Sequence, residues 1–223
     1  MNIRKLSMRK NARILFDNCM EKYALLQPCS QEIISAFNAL VKCFVNGGKV
    51  LVCGNGGSAA DAEHIVGEFM KKFRILRPVD KKFRDKFMSM GFDNAEGIAS
   101  RLEQALPAIS LVSHSSLLTA VVNDVGADMI FAQQVYGYGR AGDILMALST
   151  SGNSGNVVSA VKVAAALDMV TIGFSNVTGG KMKSLCDITI CVPDTVTFQI
   201  QELHLPVYHL LCAMVEEEIF GQD

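Results

Sequence analysis

Four side chains able to move protons or bind a metal lie on two segments of helical pattern. His64 and Glu68 are four apart in the segment that follows Gly54-Asn55-Gly56-Gly57-Ser58, so one helix face would carry both. Gln201 and His209 are eight apart in the last apolar segment, about two turns along one side of a helix. A carboxylate and an imidazole suit an aldose–ketose interconversion. A base must remove the proton alpha to the carbonyl, and an acid must protonate an oxygen of the enediol. The same four residues, His64, Glu68, Gln201 and His209, could instead gather a metal, since imidazole and carboxylate are zinc ligands. Spacing does not choose between these. His204, among Leu203 and Leu205, falls on a different side and reads as a packed residue, while His114 reads as a ligand contact or a turn cap.

Two loops have the chemistry to hold an anion. Gly54, Gly56 and Gly57 remove side chains so that backbone N–H groups can approach a phosphate, and Ser58 opens a helix whose N-terminus favours negative charge. Ser149-Thr150-Ser151-Gly152-Asn153-Ser154 places four hydroxyls around a glycine, again just before a helical pattern. Each loop alone could be a capped turn. Two of them at strand ends in one small domain favour a binding site, because parallel sheets bind ligands at the carboxyl ends of their strands. Gly54 to Ala59 also fits a loose dinucleotide fingerprint, but Arg74 to Asp80, with Pro78 and two arginines, is a poor second strand. No nucleotide cofactor is expected.

The elements that would position these loops alternate. Helical patterns run from about Met8 to Leu26 and from Ser30 to Val45, with a stop at Gly47-Gly48. Strand patterns cover Lys49–Cys53, Pro107–Val112, Asp143–Leu148, Met169–Phe174 and Asp187–Val192. Helical ones cover Ser58–Lys72, Ser115–Asn123, Met129–Tyr138, Asn156–Leu167 and Thr197–Ile219. That rhythm predicts an α/β protein with a parallel sheet covered on both faces. Residues 73–106 read as a partly helical surface insertion, with helices near Asp80–Met90 and Ala95–Gln104. The chain is expected to be a single domain over residues 1–223, residues 1–47 forming N-terminal helices.

Bulk composition excludes several classes. Half of the 223 residues are hydrophobic, 19% are charged and the formal net charge is −1, so no field directs the chain to nucleic acid or to an anionic membrane. The basic run Lys71, Lys72, Arg74 and Arg77 reads as a solvated face. No apolar stretch is long enough to span a bilayer, and Met1–Lys10 does not lead into a signal core. Seven cysteines without a C-x-x-C pair point to reduced core thiols and a cytoplasmic setting.

Cys53-Gly-Asn-Gly-Gly-Ser-Ala-Ala-Asp-Ala-Glu-His64, Ser149 to Ser154, and Gln201-Glu-Leu-His204 with His209 together resemble sugar-isomerase (SIS) domains, most closely phosphoheptose isomerases. The resemblance covers the chain from about Ser30 onward, apart from the insertion. It implies a flavodoxin-like three-layer αβα sandwich and a homotetramer with shared sites. The implied reaction is conversion of sedoheptulose 7-phosphate to D-glycero-D-manno-heptose 7-phosphate through an enediol. It implies Ser58, Ser149, Ser151 and Ser154 on the phosphate, with Asn55 shaping the loop, Glu68 as base and His209 as acid. Asp124 and Gln201 match further active-site positions, and His64, Glu68, Gln201 and His209 match a zinc set found in some members. Where the family usually has an acidic residue just before the last helix, this chain has Phe198. That departure and the insertion keep another sugar phosphate open. A non-catalytic SIS domain used for protein binding, as in a relative from bacterial replication initiation, is the alternative from another class. Pro206 is expected to kink the last helix.

Overall fold

The computed structural model describes residues 8–222, so the basic opening up to Ser7 lies outside the described residues. Five parallel strands form one sheet: β1 (Val50–Cys53), β2 (Ala108–Ser110), β3 (Ile144–Leu148), β4 (Val170–Ser175) and β5 (Ile188–Cys191). Their order is β2-β1-β3-β4-β5, with Val52 beside Ser110 on one flank and Met146 on the other. The chain therefore steps outward in opposite directions from β1, and the carboxyl ends of β1 and β3 flank the switch point where such folds bind ligands.

Alternation along the strands builds two cores. Val50, Val52, Ile144, Met146 and Leu148 face one side, while Leu51, Cys53, Leu145 and Ala147 face the other. The first side is covered by α1 (Lys10–Lys22), α2 (Ser30–Val45), α3 (Gly57–Met70) and α10 (Thr197–Phe220). The second is covered by α6 (Ser115–Asp124), α7 (Ala132–Tyr138), α8 (Gly155–Ala166) and the short α9 (Met182–Leu185). This is the three-layer α/β sandwich expected.

Some boundaries differ from the expectation for identifiable reasons. The first helix stops at Lys22 and a tighter turn, Ala24–Cys29, leads into α2. Pro28 lacks the N–H that a continuous helix would need. Ser30 is the first helical residue of α2, without a side-chain cap. Pro206 lies inside an uninterrupted α10, and Phe198 is exposed in its first turn rather than before it. The insertion forms an exposed pair of helices, α4 (Lys81–Ser89) and α5 (Ala95–Ala99). They stand on a stem closed by Gln104 N–H on Arg77 O at 2.7 Å and an antiparallel bridge between Pro78 and Glu103. That return bridge ends α5 short of the expected Gln104. Arg77 is not part of a solvated face: it is 1% exposed.

His204, placed by its spacing among packed residues, is fully buried, with its Nε2 3.3 Å from Ser175 O and its Nδ1 without a partner. Burial pulls its pKa from 6.5 down to about 4, so the ring is neutral at physiological pH. An unfolded chain would take up that proton first. The stabilisation is thus complete above pH 6.5 and is lost as pH falls through about 4. This group should remove about 3 kcal/mol of unfolding free energy across that window. A His204→Gln variant keeps an N–H donor but does not titrate there, so urea unfolding at stepped pH should show a shallower fall. Parallel pH profiles for the two proteins would refute the assignment.

Candidate active site

A cavity of about 320 Å³ opens at the carboxyl ends of β1 and β3. Asn55, Gly56, Gly57 and Ser58 line it from the loop after β1, Ser149, Thr150 and Ser154 from the loop after β3, and Thr197 and Gln201 from α10. Three helices, α3, α8 and α10, begin at its edge, and unpaired N–H groups at helix starts attract anions. No Lys or Arg is among the lining residues, so backbone amides, hydroxyls and helix dipoles supply the anion-attracting field. Ser149 and Ser154 share a hydrogen bond between their hydroxyls at 2.9 Å, and the Asn55 and Asn156 amides pair reciprocally at 2.9 Å. The serine contact closes the second loop on itself, and the asparagine pair ties the first loop to the start of α8.

Glycine is needed here for clearance. A Cβ on Gly57 would stand 2.6 Å from the Gln201 Nε2, and one on Gly152, at φ +66°, would stand 2.1 Å from Gly179 O. The first lets α3 approach the Gln201 side chain, and the second lets the Ser-rich loop turn tightly over the 179–180 backbone.

From this cavity α3 and α10 run side by side. His64 lies seven residues into α3 from Gly57, a rise of about 10 Å, and His209 lies eight beyond Gln201, about 12 Å. There the side chains meet. His64 Nε2 is 3.2 Å from Glu68 Oε1 and 3.4 Å from His209 Nε2. The Tyr208 hydroxyl donates to Asp61 Oδ1 at 3.1 Å, so its oxygen accepts from His64 Nδ1–H at 3.1 Å. That chain places a proton on His64 Nδ1 and turns Nε2 toward Glu68 and His209. Burial, then the neighbouring His64, lowers the His209 pKa, against a smaller opposing pull from Glu68. The Glu68 carboxylate is held from the other side by Lys71 Nζ at 3.2 Å.

The structure thus gathers the expected residues into two groups: the cavity set, and the set of His64, Glu68 and His209. Two expected residues stand apart. Ser151 is exposed and its hydroxyl accepts the Asn153 N–H at 3.1 Å, and the cavity lining does not include it. Asp124 is exposed at the end of α6, bonded to Asn123 at 2.8 Å, and lines neither the cavity nor the histidine cluster. The metal set is not assembled either. Gln201 faces the cavity, and among the described residues no group of three His, Cys, Asp or Glu side chains is gathered as a metal requires.

Sequence reasoning missed Thr197, Asn156, Asp61 and Tyr208. Thr197 was legible only as a helix start, and nothing in the pattern of α3 sets Asp61 apart from its neighbours. Tyr208 precedes His209 directly, but nothing local says that its hydroxyl reaches back to α3.

A parallel sheet of this order, with a hydroxyl- and amide-lined cavity at its switch point, defines a doubly wound α/β domain with a ligand site at the carboxyl ends of its strands. The chain belongs to the SIS domain family, whose model matches residues 22–84 and 85–176. Phosphoheptose isomerases are among its relatives in that family. The chain is 42% identical over 183 residues to phosphoheptose isomerase 2 of Campylobacter jejuni, covering 82% of this chain and 78% of that one. It is 38% identical over 212 residues to the phosphoheptose isomerase of Rhodospirillum rubrum, covering 95% and 99%. Solved phosphoheptose isomerases from Neisseria gonorrhoeae and Francisella tularensis superpose with TM-scores of 0.71 and 0.73. Each is 32% identical and covers 93% of this chain, and 98% and 97% of the respective structures is matched.

Proposed function

We propose that the protein interconverts sedoheptulose 7-phosphate and D-glycero-D-manno-heptose 7-phosphate. The observation that carries this reading is the shared layout of α3 and α10. Both helices begin at an anion-binding cavity and both bring a proton-transfer group to one point further along. In this reading the phosphate of the sugar sits in the cavity and carbons 1 and 2 are directed toward Glu68 and His209. Asn55, Gly56, Gly57, Ser58, Ser149, Thr150, Ser154 and Gln201 hold the phosphate end.

Glu68 takes a proton from carbon 1 while the neutral His209 ring donates its N–H to the carbonyl oxygen on carbon 2. The product is the 1,2-enediol. His209 then recovers a proton from the oxygen on carbon 1, and Glu68 returns one to carbon 2, which leaves the aldehyde. A neutral imidazole serves this role, because it gives and takes back a single proton near neutrality. Imidazole and carboxylate are zinc-type donors, but Gln201 stands with the phosphate cavity and the four-residue set does not close around one point. The reaction is therefore derived on the chain's own acid and base. Seven free cysteines and no helix, among the described residues, that could cross a membrane support a cytoplasmic setting. A homotetramer is proposed as the working assembly, and exposed Leu25 and Val45 on the N-terminal elements are side chains it could cover.

An NMR time course with sedoheptulose 7-phosphate in deuterated water tests the reaction. Aldose carrying deuterium at carbon 2 is the expected product. Saturable binding without turnover would sink the reading and favour a protein-binding SIS domain or another sugar phosphate.

A further inference from the structure

Arg77 is the largest fully buried side chain among the described residues, and its guanidinium is divided between two helices. Its Nη2 donates to Glu68 O at 3.1 Å and its Nη1 to Phe69 O at 3.2 Å. These carbonyls belong to the last turn of α3, where no later helical N–H reaches back to them. Its Nε stands 3.2 Å from Glu216 Oε1 on α10, a coulombic contact rather than an aligned hydrogen bond. Its charge also lies 5.0 Å above the Phe220 ring, near the end of the same helix. Glu216 is itself saturated. Its Oε1 accepts the Phe73 N–H at 2.8 Å, and its Oε2 accepts those of Arg74 at 2.7 Å and Ile75 at 3.2 Å.

A buried ion pair of this kind adds little stability over an apolar pair, because desolvating both charges consumes most of the coulombic gain. What it does provide is register. The residue whose carbonyl Arg77 holds is Glu68, and the helix that Glu216 anchors carries His209. We propose that the Arg77–Glu216 pair positions the isomerisation by locking the last turn of α3 to α10, which keeps the Glu68 carboxylate in line with His209. The inference rests on the reading of Glu68 as base and His209 as acid. The phosphate cavity lies at the opposite ends of both helices, so loosening the pair displaces the proton-transfer groups and leaves the cradle as it is. A misplacement near 1 Å in such a geometry costs about 100-fold in rate.

The two functions of the pair separate by substitution. Arg77→Lys keeps a buried cation, but a single ammonium cannot serve two carbonyls and a carboxylate in one plane. The double variant Arg77→Met/Glu216→Gln removes both charges together, so neither is left buried and unpaired. Each is compared with wild type and Glu68→Gln, well below its own melting temperature, for kcat, KM and competitive inhibition by inorganic phosphate. In both clamp variants kcat should fall about 10- to 100-fold, with KM and the phosphate inhibition constant within about twofold. Arg77→Lys should retain most of the melting temperature without retaining kcat, a split that a purely structural role would not produce. Wild-type kcat in the folded clamp variants, with Glu68→Gln inactive, would overturn the positioning inference alone. Turnover retained by Glu68→Gln would overturn the underlying assignment of the base instead.

Discussion

Glu68→Gln should lower kcat by about 10³-fold and leave binding of the sugar phosphate within about twofold of wild type. The amide matches the carboxylate in shape but does not accept a proton from carbon 1. Glu68 lies eleven residues beyond Gly57, about 16 Å along α3, so the phosphate cradle does not register the change. Stability should hardly move. The carboxylate is paired with the exposed Lys71, and pairs of that kind contribute about 0–1 kcal/mol. The measurement that checks it is deuterium incorporation at carbon 2 by NMR, alongside phosphate affinity by calorimetry. A variant within tenfold of wild-type turnover would show that another group is the base. A loss of binding as large as the loss of rate would show that Glu68 holds the sugar rather than deprotonating it.

The clean split between binding and chemistry expected here follows from the fold. Binding is assigned to the starts of α3, α8 and α10, where N–H groups point at a cavity that carries no fixed cation. Proton transfer is assigned two to three turns further along α3 and α10. Each assignment is therefore testable without disturbing the other.

How much of this was legible in the sequence depends on the range of the interaction. All five strands and the two anion loops were local patterns: short apolar runs, each ending in glycine or hydroxyl residues ahead of a helical repeat. The pairing of His64 with Glu68 followed from a four-residue spacing on one helix. That α3 and α10 meet does not follow from either segment alone, and was supplied by resemblance. Charge patterning failed at Arg77. In sequence it sits among Lys71, Lys72 and Arg74 and reads as surface, because Glu216, its partner 139 residues later, is invisible to a local window. Tyr208 was lost in the same way: an apolar helix face hides a hydroxyl whose acceptor, Asp61, lies on another element. At Ser151 the structure adds a contact that the string of hydroxyls does not reveal: the exposed hydroxyl accepts the Asn153 N–H within its own loop.

Gly57→Ala tests the cradle as Glu68→Gln tests the chemistry. The added methyl would stand 2.6 Å from Gln201 Nε2 and 2.8 Å from its Oε1, closer than real Cβ contacts. Those atoms are the free end of a flexible side chain, so Gln201 swings away and the helix itself stays in place. Alanine also favours the helix over glycine by about 1 kcal/mol. The fold should accordingly keep its melting temperature or gain slightly. The ligand site should not, because the displaced amide now occupies part of the cavity where the phosphate end of the sugar would lie. KM should rise about 10- to 100-fold, on the scale of one or two lost hydrogen bonds to a charged group. At saturating substrate kcat should stay within about threefold, since His209 lies two turns beyond Gln201 and Glu68 three turns beyond Gly57. Steady-state kinetics with thermal melting decides between the outcomes. A drop in melting temperature with unchanged KM would mean that Gly57 serves helix packing and that the phosphate binds elsewhere. A raised KM on an undiminished melting temperature would place the phosphate against Gln201, where the starts of the three helices converge.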